Sequence, residues 1–109
     1  MLKKVGKANK PYLSAEIVKA NNSVITVANT FAPEIRPTNF GDKLHVPVIC
    51  GDEEYLWTCN NTTMDSLIDI LGEDETKWQG QTVELAVMPV MTNEGKKTAI
   101  YTKTYADSI

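Results

Sequence analysis

The sequence has few groups that hold a metal. Its 109 residues include one histidine, His45, and two cysteines, Cys50 and Cys59. The cysteines do not form a Cys-x-x-Cys unit. Three soft donors fall short of the four Cys/His ligands that a structural zinc site takes. No metal is expected, and the cysteines read as buried free thiols. Long apolar runs are also missing, and none approaches the roughly 20 residues needed to span a bilayer. The basic stretch of residues 1–10 is not followed by an apolar h-region, so a secretory signal is not expected and the cytoplasm is the expected compartment. The Asn-x-Ser/Thr matches at Asn21, Asn60 and Asn61 then read as turn and cap chemistry. There is no nucleophile elbow or phosphate loop, and nothing pairs a serine or threonine with His45 as a base. The chain is therefore not expected to be an enzyme or to need a cofactor.

A basic surplus is missing as well. The formal net charge is −3, from 11 basic and 14 acidic residues. Lys3, Lys4, Lys7 and Lys10 fall in the first ten residues with no acid beside them. The other residues carry seven basic groups against the 14 acidic ones. Polyanion affinity comes largely from displaced counterions, so this body does not favour tight non-specific binding. Local patches still count, because the distribution of charge decides more than its sum.

The chain is long enough for one domain with a modest core and no need of disulfides. Residues 1–12 form a basic lead-in, 13–103 the domain, and 104–109 a frayed tail. Leu13 to Lys19 is either a strand or a helical turn. Asn21-Asn22 is a turn, and Ser23-Val24-Ile25-Thr26-Val27-Ala28 is a β-branched strand. Residues 31–42 read as a long loop, since Pro33 and Pro37 exclude a helix or a central strand. Lys43 to Cys50 is a strand with Leu44, Val46, Val48 and Cys50 on the buried face and His45 on the outward face. Pro47 argues for an edge position or a bulge. Gly51-Asp52-Glu53 turns into the returning strand Glu54 to Cys59, which places the two thiols at opposite ends of the hairpin. A helix is expected from about Thr63 to Leu71, capped by Thr62. Its apolar stripe is Met64, Leu67, Ile68 and Leu71, with Asp65, Ser66 and Asp69 in water and Gly72 at its end. An acidic loop and Trp78 follow, with Trp78 packing against the helix end. Two more strands, Gln81–Val90 and Lys97–Thr102, complete the domain.

Three strands, a helix, then two strands is the order of an OB-fold, a five-stranded Greek-key barrel with one helix between strands 3 and 4. The fold expected is therefore mainly β and OB-fold-like. The chain also resembles small phage and archaeal OB-fold-like proteins that bind single-stranded nucleic acid. The resemblance rests on Asn60-Asn61-Thr62, the apolar helix, Gly72-Glu73-Asp74, Trp78-Gln79-Gly80-Gln81 and Ala99-Ile100-Tyr101, and covers about residues 40–103. Gln81 and Asn61 stand where Lys or Arg is usual. The resemblance implies non-enzymatic binding of single-stranded nucleic acid, DNA ahead of RNA.

In an OB-fold the ligand crosses strands 2 and 3 between the loops joining strands 1–2 and 4–5, here residues 31–42 and 92–96. Arg36, Lys43, Lys96, Lys97 and Lys103 fall in or beside those loops. Stacking platforms are also needed. Phe40 is either a platform or a loop anchor, Trp57 faces either core or cleft, and Tyr101 points outward. His45 either contacts a phosphate or base or is an inert surface residue. The other reading is a protein-interaction module, an accessory protein using the same barrel edge or long loop against a protein partner.

Overall fold

The computed structural model describes residues 11–108. Its elements in order are α1 (Ala15–Ala20), β1 (Val24–Val27), β2 (Glu34–Thr38), β3 (Gly41–Cys50), β4 (Glu53–Cys59), α2 (Asn61–Leu71), a 3-10 turn (Glu75–Lys77), β5 (Thr82–Thr92), β6 (Gly95–Thr102) and α3 (Lys103–Ser108). The fold is mainly β, as expected: a six-stranded antiparallel sheet and three helices. No helix among the described residues is long and apolar enough to cross a membrane.

Strand β3 is the shared member of the sheet. Along one edge it pairs first with β2, from Thr38↔Gly41 to Glu34↔His45, and then with β1 at Val27↔Val48 and Thr26↔Ile49. Along the other edge it pairs with β4 from Leu44↔Cys59 to Cys50↔Glu53. β1 passes the sheet on to β5, and β5 to β6. Pro47 sits where the first edge changes partner. The Leu56 N–H and carbonyl are bonded to Pro11 and Leu13, so the facing Pro47 directs its backbone toward the opposite edge. There its carbonyl accepts from the Ala28 N–H at 2.8 Å. The donor that proline lacks falls between the ladder pairs of Glu34, the first residue of β2, and Val27, the last of β1.

The sheet is not a closed barrel. Among the described residues no ladder joins β4 to β6, and residues 12–20 pack on that side instead. Tyr12 bridges to Leu56 in parallel, with Leu13 N–H donating to the Leu56 carbonyl at 2.9 Å. α1 then packs on β5 and β6, and Leu13 and Val18 enter the core. Of the two readings of Leu13 to Lys19 the helix holds, from Ala15, and the bridge to β4 falls just before the segment at Tyr12. Ser14 caps that helix through a hydrogen bond from the Ile17 N–H. Residues 1–10 of the expected basic lead-in lie outside the described residues.

Three further expectations change. The segment read as a long loop holds β2, and its prolines are tolerated because β2 lies at the end of the strand order and pairs with β3 alone. The expected tail contains α3, a short helix whose Tyr105 N–H donates to the Thr102 hydroxyl. The β3–β4 turn is one residue tighter than expected, so His45 faces Thr58 and Cys50 faces Glu53.

The core is built from Ile25 and Val27 of β1, Leu44, Val46 and Val48 of β3, Trp57 of β4, and Val83 and Leu85 of β5. The period of two in β3 and β5 places these side chains on one face. Helix α2 lays Leu67 into this core with Met64, Ile68 and Leu71 half-buried around it. It begins two residues earlier than expected. Asn60, not Thr62, is the cap, its side-chain oxygen accepting from the Thr63 N–H at 3.0 Å. Ser66 is buried rather than in water, because its hydroxyl pairs with that of Thr102 at the end of β6. Trp78 packs at the helix end as expected: it is buried, and its indole N–H donates to the Gly72 carbonyl at 2.9 Å.

Both cysteines are buried and free. Burial raises both thiol pKa values, that of Cys59 strongly. A folded-state pKa above the unfolded one means stability that is full below the unfolded pKa, about 8.5, and is lost as the pH rises past it. The denaturation midpoint under reducing conditions is expected to fall between pH 7.5 and pH 10, and Cys59→Ala is expected to shrink that fall while lowering the midpoint at both pH values. For the helix cap, Asn60→Ala is expected to cost about 1 kcal/mol in equilibrium denaturation. Thr62→Ala is expected to be near neutral; the reverse order would place the cap at Thr62.

Candidate nucleic-acid interface

Two β-hairpins carry most of the expected site residues, and they are closed by the same four-residue turn. The β2–β3 turn is Thr38-Asn39-Phe40-Gly41, and the β5–β6 turn is Thr92-Asn93-Glu94-Gly95. In each the threonine hydroxyl donates to the glycine carbonyl, at 2.6 and 2.8 Å. In each it also accepts from the N–H of the third residue, at 3.0 and 3.1 Å. The glycine has positive φ in both, 99° and 109°, a conformation that a side chain resists. The threonine hydroxyls supply the local side-chain hydrogen bonding of both turns. This repeated Thr-Asn-x-Gly is the signal that would have revealed β2 in the sequence.

The first arm holds Arg36, Phe40 and Lys43. Arg36 and Lys43 face each other across the β2–β3 ladder. The Arg36 guanidinium pairs with the Glu34 carboxylate and lies over the Phe31 ring, 4.8 Å from its centroid. Phe40 stands at the arm's tip, 87% exposed. It is therefore not an anchor against the body of the domain.

The second group runs along β6 into α3. Lys96 and Lys97 are exposed at the arm's end, with Lys97 paired to Glu94 at 3.2 Å. Tyr101 is half-buried, with its ring centroid 5.0 Å from that of Tyr105. Lys103 pairs with Asp107 at 2.8 Å, and that hydrogen bond together with the carboxylate's charge raises the lysine pKa. The first group spans β2, its turn and the start of β3, the second β6 and the start of α3, and β2 and β6 are the opposite ends of the strand order. They form two separate basic and aromatic groups rather than one row.

Two expected contacts move out of reach. His45 is buried, 6% exposed, although it lies on the face of β3 opposite Leu44 and Val46. Its Nδ1 lies 3.1 Å from the Lys43 carbonyl oxygen. This burial removes it from the surface role expected of it. Trp57 faces the core, 3% exposed, opposite Val46, so it offers no platform to a base. Besides Phe40, five large apolar side chains that the sequence did not single out are exposed: Tyr12, Ile35, Ile49, Ile70 and Met91, the last 78% exposed at the end of the second arm. Ile35 alternates with Arg36 along β2 and is legible once β2 is seen. Nothing in the sequence marks Tyr12.

Among the described residues no group of three or more His, Cys, Asp or Glu side chains is placed to hold a metal ion. Compared with known proteins, the sequence matches no family model, and neither a curated protein nor a solved structure matches it significantly.

Proposed function

We propose that this is an OB-like domain that binds single-stranded nucleic acid without enzymatic activity, DNA ahead of RNA, and grips it with its two arms. The strand connectivity supports the OB-like reading. With β2 counted as an insertion, β1, β3 and β4 precede α2, and β5 and β6 follow it. β1 pairs with both β3 and β5, as the first strand of that order does. The observation that carries the functional reading is the pair of matching arms, each presenting basic groups beside an exposed large side chain.

The chemistry divides between the arms. On the first, Phe40 offers a base a stacking face with open solvent on its flanks, and Lys43 and Arg36 lie down the strand from it. On the second, Lys96 and Lys97 meet phosphates near the tip, with Tyr101 and Lys103 further along. Contacts through these groups read the backbone and the π-face of any base, so sequence preference is weak. Arg36, Lys97 and Lys103 each already share a carboxylate. An incoming phosphate competes with that partner, which keeps affinity modest and makes it fall with salt. With two to four phosphates neutralised, the single-strand slope of log K against log salt is about −1.5 to −3.

The test is a titration of labelled oligo-dT at low and moderate salt. Binding is expected at micromolar concentrations, with the slope above. Lys96→Glu with Lys97→Glu is expected to weaken it by about tenfold or more, and Phe40→Ala by about 1–3 kcal/mol. Because Trp57 is in the core, intrinsic tryptophan emission is expected to change little on binding. No binding at tens of micromolar in low salt would overturn the reading.

A further inference from the structure

On the far side of the first arm lies a groove with the opposite character. It has a volume of about 410 Å³ and runs between β2, the start of β3, helix α2 and the turn after it. Its floor is apolar: Ile35 and Leu44, which face each other across the β2–β3 ladder, and Met64 and Ile68 of α2. Its rim is acidic, from Glu34 on one side and Glu73 and Glu75 on the other. Ile35 is 58% exposed, so the arm leaves a large apolar side chain in water at the mouth of the groove. Such a side chain in a concave site is the default mark of a binding surface.

The far wall is held in place by its own hydrogen bonds. Trp78 at the base of the groove ties the Gly72 carbonyl, and the Asp74 carboxylate accepts from the Thr76 hydroxyl and N–H. Those two bonds hold the Asp74 pKa below its ordinary value. Glu73 and Glu75 flank this turn, and neither has an ion-pair partner among the described residues. The wall is therefore ordered before anything binds, which lowers the ordering cost of association. Glu34 is shared with Arg36 and contributes less.

We propose that this groove docks a short segment of a partner protein, an apolar side chain flanked by lysine or arginine. The apolar floor takes the hydrophobic side chain, and the carboxylate rim selects its basic neighbours. Charge complementarity decides the occupant. A nucleic-acid backbone or an acidic peptide would bring negative charge against Glu73 and Glu75, and like-charge juxtaposition is costly. The groove is thus a second site, independent of oligonucleotide binding by the arms. One domain could hold a single strand and a protein at once.

The experiment is fluorescence anisotropy on the full chain. The probe is a labelled peptide with two central leucines and two lysines on each side. Two controls replace its lysines by glutamate or its leucines by serine. Micromolar binding is expected for the probe, and about tenfold or more weaker binding for both controls. Ile35→Ser and the pair Glu73→Lys and Glu75→Lys alter exposed positions. Each is expected to weaken the probe by about tenfold without weakening oligo-dT binding, which reports on the arms and on folding together. Equal binding of the glutamate control, or probe binding untouched by both groove variants, would overturn the proposal. So would either of two other occupants. Probe binding that emerges only when Lys3, Lys4, Lys7 and Lys10 are replaced by serine would assign the groove to the chain's own basic segment. Sedimentation showing self-association that Ile35→Ser abolishes would assign it to a second copy.

Discussion

The structure depends on one strand having three partners. β3 is ten residues long, enough to offer β2 and β1 successive stretches of one edge while β4 takes the other. β1 is only four residues long, and within the described sheet it alone joins the β2–β3–β4 layer to the β5–β6 hairpin. So short a ladder would be a weak link. Two contacts outside the sheet reinforce it. The Ser66–Thr102 hydroxyl pair ties α2 to the end of β6, and α1 packs on β5 and β6 after its lead-in has bonded to β4. A barrel closes itself with a last ladder, whereas this domain closes with a helix and buried Leu13 and Val18.

That closure decides what the surface offers. His45 is buried although it lies on the face of β3 opposite Leu44 and Val46, so that face offers no exposed imidazole. Because Trp57 faces inward, aromatic contact is left to the arms. The charges follow the same division. Lys43, Lys96 and the paired Arg36, Lys97 and Lys103 lie on the arms and at the start of α3, while Glu73 and Glu75, without an ion pair among the described residues, line the turn after α2. An acidic protein can thus keep a weakly basic working surface, since the two signs occupy different elements.

Much of the fold was legible because its signals are local. The β-branched run of β1, the alternation in β3 and the stripe Met64, Leu67, Ile68 and Leu71 each dictate which side is buried. The packing role of Trp78 followed from its place after the helix. What was illegible is tertiary. Pro33 and Pro37 speak against a ladder, and only an edge position makes β2 acceptable. Ser66 looks solvent-facing by type and is buried only because Thr102 meets it. The start of α2 turned on whether Asn60 or Thr62 capped it, and the Asn60 side chain reaches the Thr63 N–H three residues on. Of the candidate site, the positions of Lys96, Lys97 and Phe40 near turns were readable. The inward aim of Trp57 and the burial of His45 depend on register and tertiary packing, which no single segment encodes.

The twin turns have a consequence for how this surface varies. In Thr-Asn-x-Gly the hydroxyl, the backbone and the glycine fix the bend, and the third side chain takes no part in it. It is phenylalanine on one arm and glutamate on the other, over the same hydrogen bonds. The tip residue is therefore uncoupled from the scaffold that presents it. A change there alters the chemistry at the tip without altering where the arm stands, so the two tips can diverge while the fold stays unchanged.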